Sequence, residues 1–186
     1  MTKALLILGE LNNDDLDWII QKSRQETILE GDTLIYEGQK INALYIVLSG
    51  TFSVIIQSLG DRELAKISSG EVVGEISFVD IRPPVATVKA LEDSKILAIP
   101  RLQLTTKLEQ DTGFASRFFH GISLCLANRM RGTVRRLGYG IELERTQEEQ
   151  KSFAGKDELN PRALEHSELA QTRFNWLKHM SHESKV

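Results

Sequence analysis

The sequence predicts an α+β fold, an antiparallel β jelly roll with a helix before it, a long helix after it and a helical tail. Short runs rich in β-forming residues follow one another between residues 27 and 99, and glycines separate them. The clearest runs span residues 43–48, 51–56, 62–67, 87–90 and 95–99. Short strands at regular spacing with turns between them are typical of a sandwich or jelly roll, and not of a doubly wound parallel sheet.

The composition predicts one domain with a modest appendage. Of the 186 residues, 41% are hydrophobic, and we assign residues 1–137 to the domain and 138–186 to a helical extension. A net charge of −3 argues against a general electrostatic attraction to nucleic acid. The single cysteine, Cys125, cannot form an intramolecular disulfide, and no apolar run approaches the ~20 residues that span a bilayer. We therefore expect a soluble protein of the cytoplasm that does not contact a membrane.

The first predicted helix begins in a segment rich in asparagine and aspartate. Its apolar side consists of Leu11, Leu16, Ile19 and Ile20. Asn12, Asn13 or Asp14 could cap its N-terminus. Further along, Gly31, Gly38 and Gly50 lie between the strand-like runs, where hairpin turns often require a positive φ.

The segment 70–90, GEVVGEISFVDIRPPVATVKA, carries the main functional pattern. A glycine turn that leads into a helix exposes unpaired backbone N–H groups, and these groups together with the helix dipole favour an anion. Glu75 lies in the first turn of that helix and could accept a hydrogen bond from a hydroxyl group. Amide donors beside one carboxylate would suit a phosphorylated sugar. The alternative is a turn and a short helix that only close the β-sandwich.

Two segments resemble the cyclic-nucleotide-binding domain family, which includes the bacterial catabolite activator and the regulatory subunit of cAMP-dependent kinase. GEISFVD followed by PPVATV resembles the phosphate-binding cassette of that family. LEGDTLIYEGQKINALYIVLSGTF is similar to the first half of the family's domain. The resemblance runs from about Leu11 to Leu137, and it implies a sensor or regulatory domain that binds cAMP or cGMP and catalyses no reaction.

The resemblance also implies a set of ligand-binding residues. They are Gly74, Glu75, Ile76, Ser77, Arg82, Val85 and Ala86 in the cassette, and Thr133 on the long helix, where some family members contact the purine. The cassette departs from the family pattern at its centre. The arginine that holds the cyclic phosphate falls on Pro84, and the small residue after it falls on Val85, while Arg82 lies two positions early.

This departure leaves two hypotheses. In the first, Arg82 reaches back and cyclic nucleotide still binds, although weakly. In the second, the pocket is empty or holds another ligand, and the domain is a constitutive module for dimerisation and for binding a protein partner. Neither involves catalysis, because the sequence has no phosphate-binding loop of the Walker type. No histidine precedes His120 and no cysteine precedes Cys125, so the roll cannot hold a metal on several imidazoles.

Residues 114–137 predict a long amphipathic helix. Its apolar stripe consists of Phe119, Ile122, Leu126, Met130, Val134 and Leu137. The stripe could pack on the roll, whereas the resemblance implies that it pairs with its twin in a homodimer; we expect the N-terminal half to pack and the C-terminal half to pair. Four arginines make the end of the helix basic and favour a solvated face: Arg129, Arg131, Arg135 and Arg136.

The tail predicts a second helix that begins at Asn160-Pro161. Its apolar stripe consists of Ala163, Ala170, Phe174 and Leu177. Residues 161–180 could therefore dock a protein partner, but we favour a helix folded back on its own domain or on a dimer mate. Residues 142–151 could extend the long helix. The tail is too short for a helix-turn-helix domain, so we expect no sequence-specific DNA binding.

Overall fold

The computed structural model describes residues 6–138 and 161–183. Eight strands and six helices occur within these residues, together with a 3-10 turn at Gln57–Leu59. In chain order they are α1 (Leu6–Glu10), α2 (Asn13–Lys22), β1 (Arg24–Ile28), β2 (Thr33–Ile35), β3 (Ala43–Ser49), β4 (Thr51–Ile56), β5 (Arg62–Ser68), β6 (Val72–Val73), α3 (Glu75–Val79), β7 (Thr87–Ala90), β8 (Ser94–Pro100), α4 (Arg101–Gln110), α5 (Thr112–Gly138) and α6 (Pro161–Glu183).

The strands form two four-stranded antiparallel sheets, which confirms the predicted jelly roll. One sheet has the order β1-β8-β3-β6 and the other has the order β2-β7-β4-β5. The five strands that the sequence located individually are present, each within one residue of the predicted bounds at either end. The structure adds three strands, β1, β2 and β6, and the short helix α1.

Strand β3 is buried on both faces because one face packs against the other sheet and the opposite face packs against the helices. Val47 packs between the two sheets, where it joins a core that includes Phe52 and Ile96. Leu44 and Ile46 point the other way, into a core formed with the helices. The successive side chains of a strand point to opposite faces, so one apolar strand supplies both cores.

Helices α2 and α5 are held together by a largely buried ion pair. Asn12 is the cap of α2, and its side chain accepts a hydrogen bond from the backbone N–H of Asp15, whose carboxylate in turn accepts one from the backbone N–H of Asn12. The Asp15 carboxylate also accepts two hydrogen bonds from Arg117 on α5, at 2.6 and 2.8 Å. Asp15 thereby takes part in the cap of α2 and also fixes the long helix.

Helix α5 divides its apolar residues between two sides. Phe114, Phe118, Ile122 and Cys125 are buried against the domain. Of the predicted stripe, Ile122 belongs to this packed side, whereas Phe119, Met130 and Val134 are exposed. The single predicted stripe is thus wrong in detail, because the side of the helix that packs is centred on Phe118 and Cys125, and the predicted stripe overlaps it only at Ile122.

Helix α6 folds back on its own domain and covers α1 and α2, which is one of the two positions that the sequence analysis favoured. Ala170, Phe174 and Leu177 are buried there, whereas Trp176 is exposed. The predicted extension of the long helix over residues 142–151 lies outside the described residues. Within the described ranges, no helix is both long enough and apolar enough to span a bilayer.

Candidate functional site

The cassette begins at a glycine whose backbone conformation disfavours a side chain. Gly74 precedes α3 and has a φ of +92°, in the left-handed region that other residues rarely adopt. A Cβ atom added there would lie 2.7 Å from Cδ1 of Ile41. The turn from β6 into α3 therefore depends on this glycine.

Glu75 is 1% exposed and is held by an arginine from the long helix. Arg129 Nη1 donates a hydrogen bond to Glu75 Oε1, and Arg129 Nη2 donates one to the backbone oxygen of Val72. The expectation that Arg129 lies on a solvated face is wrong, since its guanidinium joins α5 to the start of the cassette. Charge-assisted contacts of this kind are stronger than neutral hydrogen bonds.

A second arginine holds α3 from another side. Arg101, the first residue of α4, donates from Nη1 to the backbone oxygen of Ser77 at 2.9 Å. The Arg101 guanidinium also lies 4.9 Å from the ring centroid of Phe78, within the range of a cation–π interaction. Phe78 in turn meets Phe118 of α5 edge to face, with the centroids 5.8 Å apart. The first half of the cassette is therefore fixed by α4 and α5 together.

The second half of the cassette is at the surface. The Arg82 side chain is 84% exposed and pairs with Asp80, two residues away. The hydrogen bond from Arg82 lowers the pKa of the Asp80 carboxyl group. Val85 is 68% exposed. Pro84 contributes only its backbone oxygen, which accepts a hydrogen bond from the N–H of Gly38 at 2.8 Å.

The structure brings together some of the residues that the resemblance implied. Gly74, Glu75 and Ser77 lie together at the start of α3, where Glu75 and Ser77 are buried and Gly74 is partly buried. Ile76 lies on the outer side of α3 and is half exposed, and Ala86 is half-buried. Thr133 is exposed and donates to the backbone oxygen of Arg129 at 3.0 Å, within its own helix.

Cys125 lies on the same helix, one turn before Arg129. Burial raises the pKa of its thiol to about 11, so the group is protonated at neutral pH. Within the described residues, no group of three or more His, Cys, Asp or Glu side chains could hold a metal ion.

Residues 25–111 match the family model of the cyclic nucleotide-binding domain. These residues belong to that family. The matched range contains all eight strands except the first residue of β1, together with the cassette and α4.

Similar proteins of known sequence carry the same domain in different settings. The chain is 28% identical over 120 residues to the cyclic AMP receptor protein of Thermus thermophilus, which covers 63% of this chain and 54% of that protein. It is 29% identical over 106 residues to the cGMP-dependent protein kinase of Eimeria tenella, which covers 56% of this chain and 10% of that protein. The chain thus spans about half of the first relative and a tenth of the second.

Solved structures show the same fold. The cyclic nucleotide-binding domain from Methylobacillus flagellatus aligns with a TM-score of 0.65 at 21% identity, over 72% of this chain and 80% of that one. The catabolite activator protein of Thermus thermophilus aligns with a TM-score of 0.60 at 23% identity, over 97% of this chain and 88% of that one.

Proposed function

We propose that this chain is a non-catalytic regulatory module on the cyclic nucleotide-binding fold, in which binding of cAMP or cGMP is weak or lost. The observation that carries the proposal is that two groups which would hold the ligand, a free carboxylate and an arginine for the phosphate, are not available in the cassette. The Glu75 carboxylate is occupied by Arg129, and the position that aligns with the phosphate arginine of the family is Pro84. The nearest arginine in sequence, Arg82, pairs with Asp80 at the surface.

The missing arginine sets the size of the expected loss. A hydrogen bond to a charged group contributes about 1.5–3 kcal/mol. Loss of one such contact to the cyclic phosphate corresponds to roughly one to two orders of magnitude in affinity. The amides at the start of α3 remain, but α3 has only five residues, so its dipole cannot replace a guanidinium.

Arg129 adds a second obstacle. A ribose hydroxyl that donated to Glu75 would compete with the guanidinium that already bonds Oε1. The absence of an arginine at position 84 and the bond of Arg129 to Glu75 both weaken nucleotide binding. Both therefore favour a closed cassette, in which Arg129 stays bonded to Glu75.

The exposed face of α5 supports the second part of the proposal, a homodimer. Phe119, Met130 and Val134 are 43%, 65% and 56% exposed. Met130 and Val134 are four residues apart, and Phe119 lies three turns before Met130, so the three share one side of the helix. A second copy of the same helix would cover these side chains symmetrically.

Calorimetry with cAMP and with cGMP tests the ligand part of the proposal. We expect millimolar or undetectable binding to the full chain, and a gain of about ten- to a hundred-fold in affinity for the double substitution Pro84→Arg, Val85→Ala. The backbone oxygen of residue 84, which accepts the hydrogen bond from Gly38, is still present in this variant. Micromolar binding by the unmodified chain that Arg82→Ala abolishes would instead establish the sensor in which Arg82 reaches the phosphate.

Analytical ultracentrifugation tests the dimer. We expect the unmodified chain to sediment as a dimer and Met130→Glu to shift it to a monomer, because the carboxylate would be buried against its symmetry mate. Leu102→Glu is the matched control, since Leu102 is 80% exposed on α4, away from the proposed interface. A monomeric unmodified chain would contradict this part of the proposal.

A further inference from the structure

The tail helix α6 is anchored to the short helix α1 by one arginine. Arg173 Nη1 donates to the backbone oxygens of Leu8 and Gly9, at 3.0 and 2.9 Å. These carbonyl groups lie at the end of α1, where a helix leaves its last carbonyls without internal partners. The three buried apolar residues of α6 lie beside the same contact: Ala170, Phe174 and Leu177.

This anchor is imperfect. The Nε atom of Arg173 is buried and has no hydrogen-bond partner within the described residues. A buried donor without a partner carries a free-energy cost, and release of the helix into solvent would remove it. Packing and two hydrogen bonds therefore stabilise the docked position of α6. The buried Nε of Arg173, which has no partner within the described residues, destabilises it.

Helix α1 is in direct contact with α5 on its other side. A Cβ atom added at Gly121 of α5 would lie 2.9 Å from Cα and from Cγ1 of Ile7. Such distances mean that the backbones of the two helices touch at this glycine. Cys125, one turn further along α5, is buried in the same cluster, so a movement of this part of α5 cannot occur without displacing α1.

The same part of α5 holds the cassette. Arg129 lies eight residues after Gly121, about 12 Å along the helix axis, and bonds Glu75 and Val72. Contacts therefore continue without a break from Arg173 on α6, through α1, to α5 and the cassette.

We propose that docking of α6 and closure of the cassette stabilise each other through α1 and α5, so that α6 is a latch released when Arg129 leaves Glu75. The proposal rests on the proposed function, because it treats the cassette as the regulated site and names what that site controls. Release would uncover the apolar side of α6. Because a coupling free energy is reciprocal, release of α6 would also loosen the cassette.

Hydrogen exchange of the full chain, read by mass spectrometry, tests this coupling. We expect Arg129→Met to raise exchange both in α3 and in residues 168–180, by about five-fold or more. Arg131→Met is the matched control, since Arg131 is exposed on the same helix two residues away, and it should change neither segment. Faster exchange in α3 with unchanged exchange in residues 168–180 would overturn the proposal.

The reciprocal experiment starts from the other end. Arg173 lies on α6, and we expect the substitution Arg173→Met to raise hydrogen exchange in α3 by a similar factor. Unchanged exchange in α3 would overturn the coupling even if α6 itself were released. Should Arg129→Met fail to fold, Gly121→Ala replaces it, with Gly132→Ala as its control because a Cβ at Gly132 meets no atom within 4 Å. Exchange rates decide the coupling and calorimetry decides nucleotide binding, so the two proposals can fail separately.

Discussion

The two halves of the cassette differ in what holds them. The first half, from Gly74 to Phe78, is anchored by an arginine from α5, an arginine from α4 and an aromatic contact to Phe118. The second half, from Asp80 to Val85, lies at the surface, and within the described residues its side chains are joined only by the local ion pair of Arg82 with Asp80. An exposed ion pair of this kind adds little to stability.

This difference explains how a cassette can lose ligand chemistry without losing its fold. The contacts of the first half join α3 to α4 and α5, and Arg129 also bonds Val72 of β6, so a change there is expected to destabilise the whole domain. The second half makes no such contact through its side chains. Pro84 and Val85 can therefore replace the residues that the family pattern places there while the backbone bond to Gly38 is kept.

The largest expected effect tests the support beneath the first half. Phe118→Ala removes a side chain that is 1% exposed and packs against Phe78, and we expect it to lower the free energy of unfolding by about 3–5 kcal/mol. Phe119→Ala is the control on the neighbouring residue, which is 43% exposed within one chain, and it should cost much less when both variants are compared at a protein concentration too low for the proposed dimer to form. Urea denaturation measures both, and equal losses would contradict the division of α5 into two sides.

A smaller effect is expected from the carboxylate itself. Glu75→Ala leaves the Arg129 guanidinium without its carboxylate partner, although its hydrogen bond to the backbone oxygen of Val72 remains. Because the Arg129 side chain is 33% exposed, water can compensate in part, and we expect a loss of about 2–3 kcal/mol, below the usual range for a fully buried pair. Asp80→Ala removes a carboxylate from the second half and should leave the urea midpoint unchanged. A comparable loss in both variants would show that the two halves are equally anchored.

Local patterns in the sequence were sufficient to locate most of the roll. The strands at 51–56 and 87–90 have the predicted bounds because β-forming residues fill them and turns delimit them. Strand β6 has two residues and α1 has five, too few for a period to show. These elements exist because neighbouring strands and helices cover them.

The candidate site was less accessible to sequence analysis. Glu75 was located by its place after Gly74, but its partner Arg129 lies 54 residues later. Among four arginines near a helix end, nothing in the spacing distinguishes the one that points inward. The tail stripe of Ala170, Phe174 and Leu177 was visible, but the Arg173 anchor depends on α1, which the sequence did not predict.

Strand β3 has a consequence for how the molecule unfolds. Its alternate side chains belong to the core between the sheets and to the core beneath the helices. Neither core keeps its full set of partners once this strand leaves, so the roll and the helical layer are expected to melt as one cooperative unit. A substitution that destabilises the helical layer would then lower the free energy of unfolding of the whole domain.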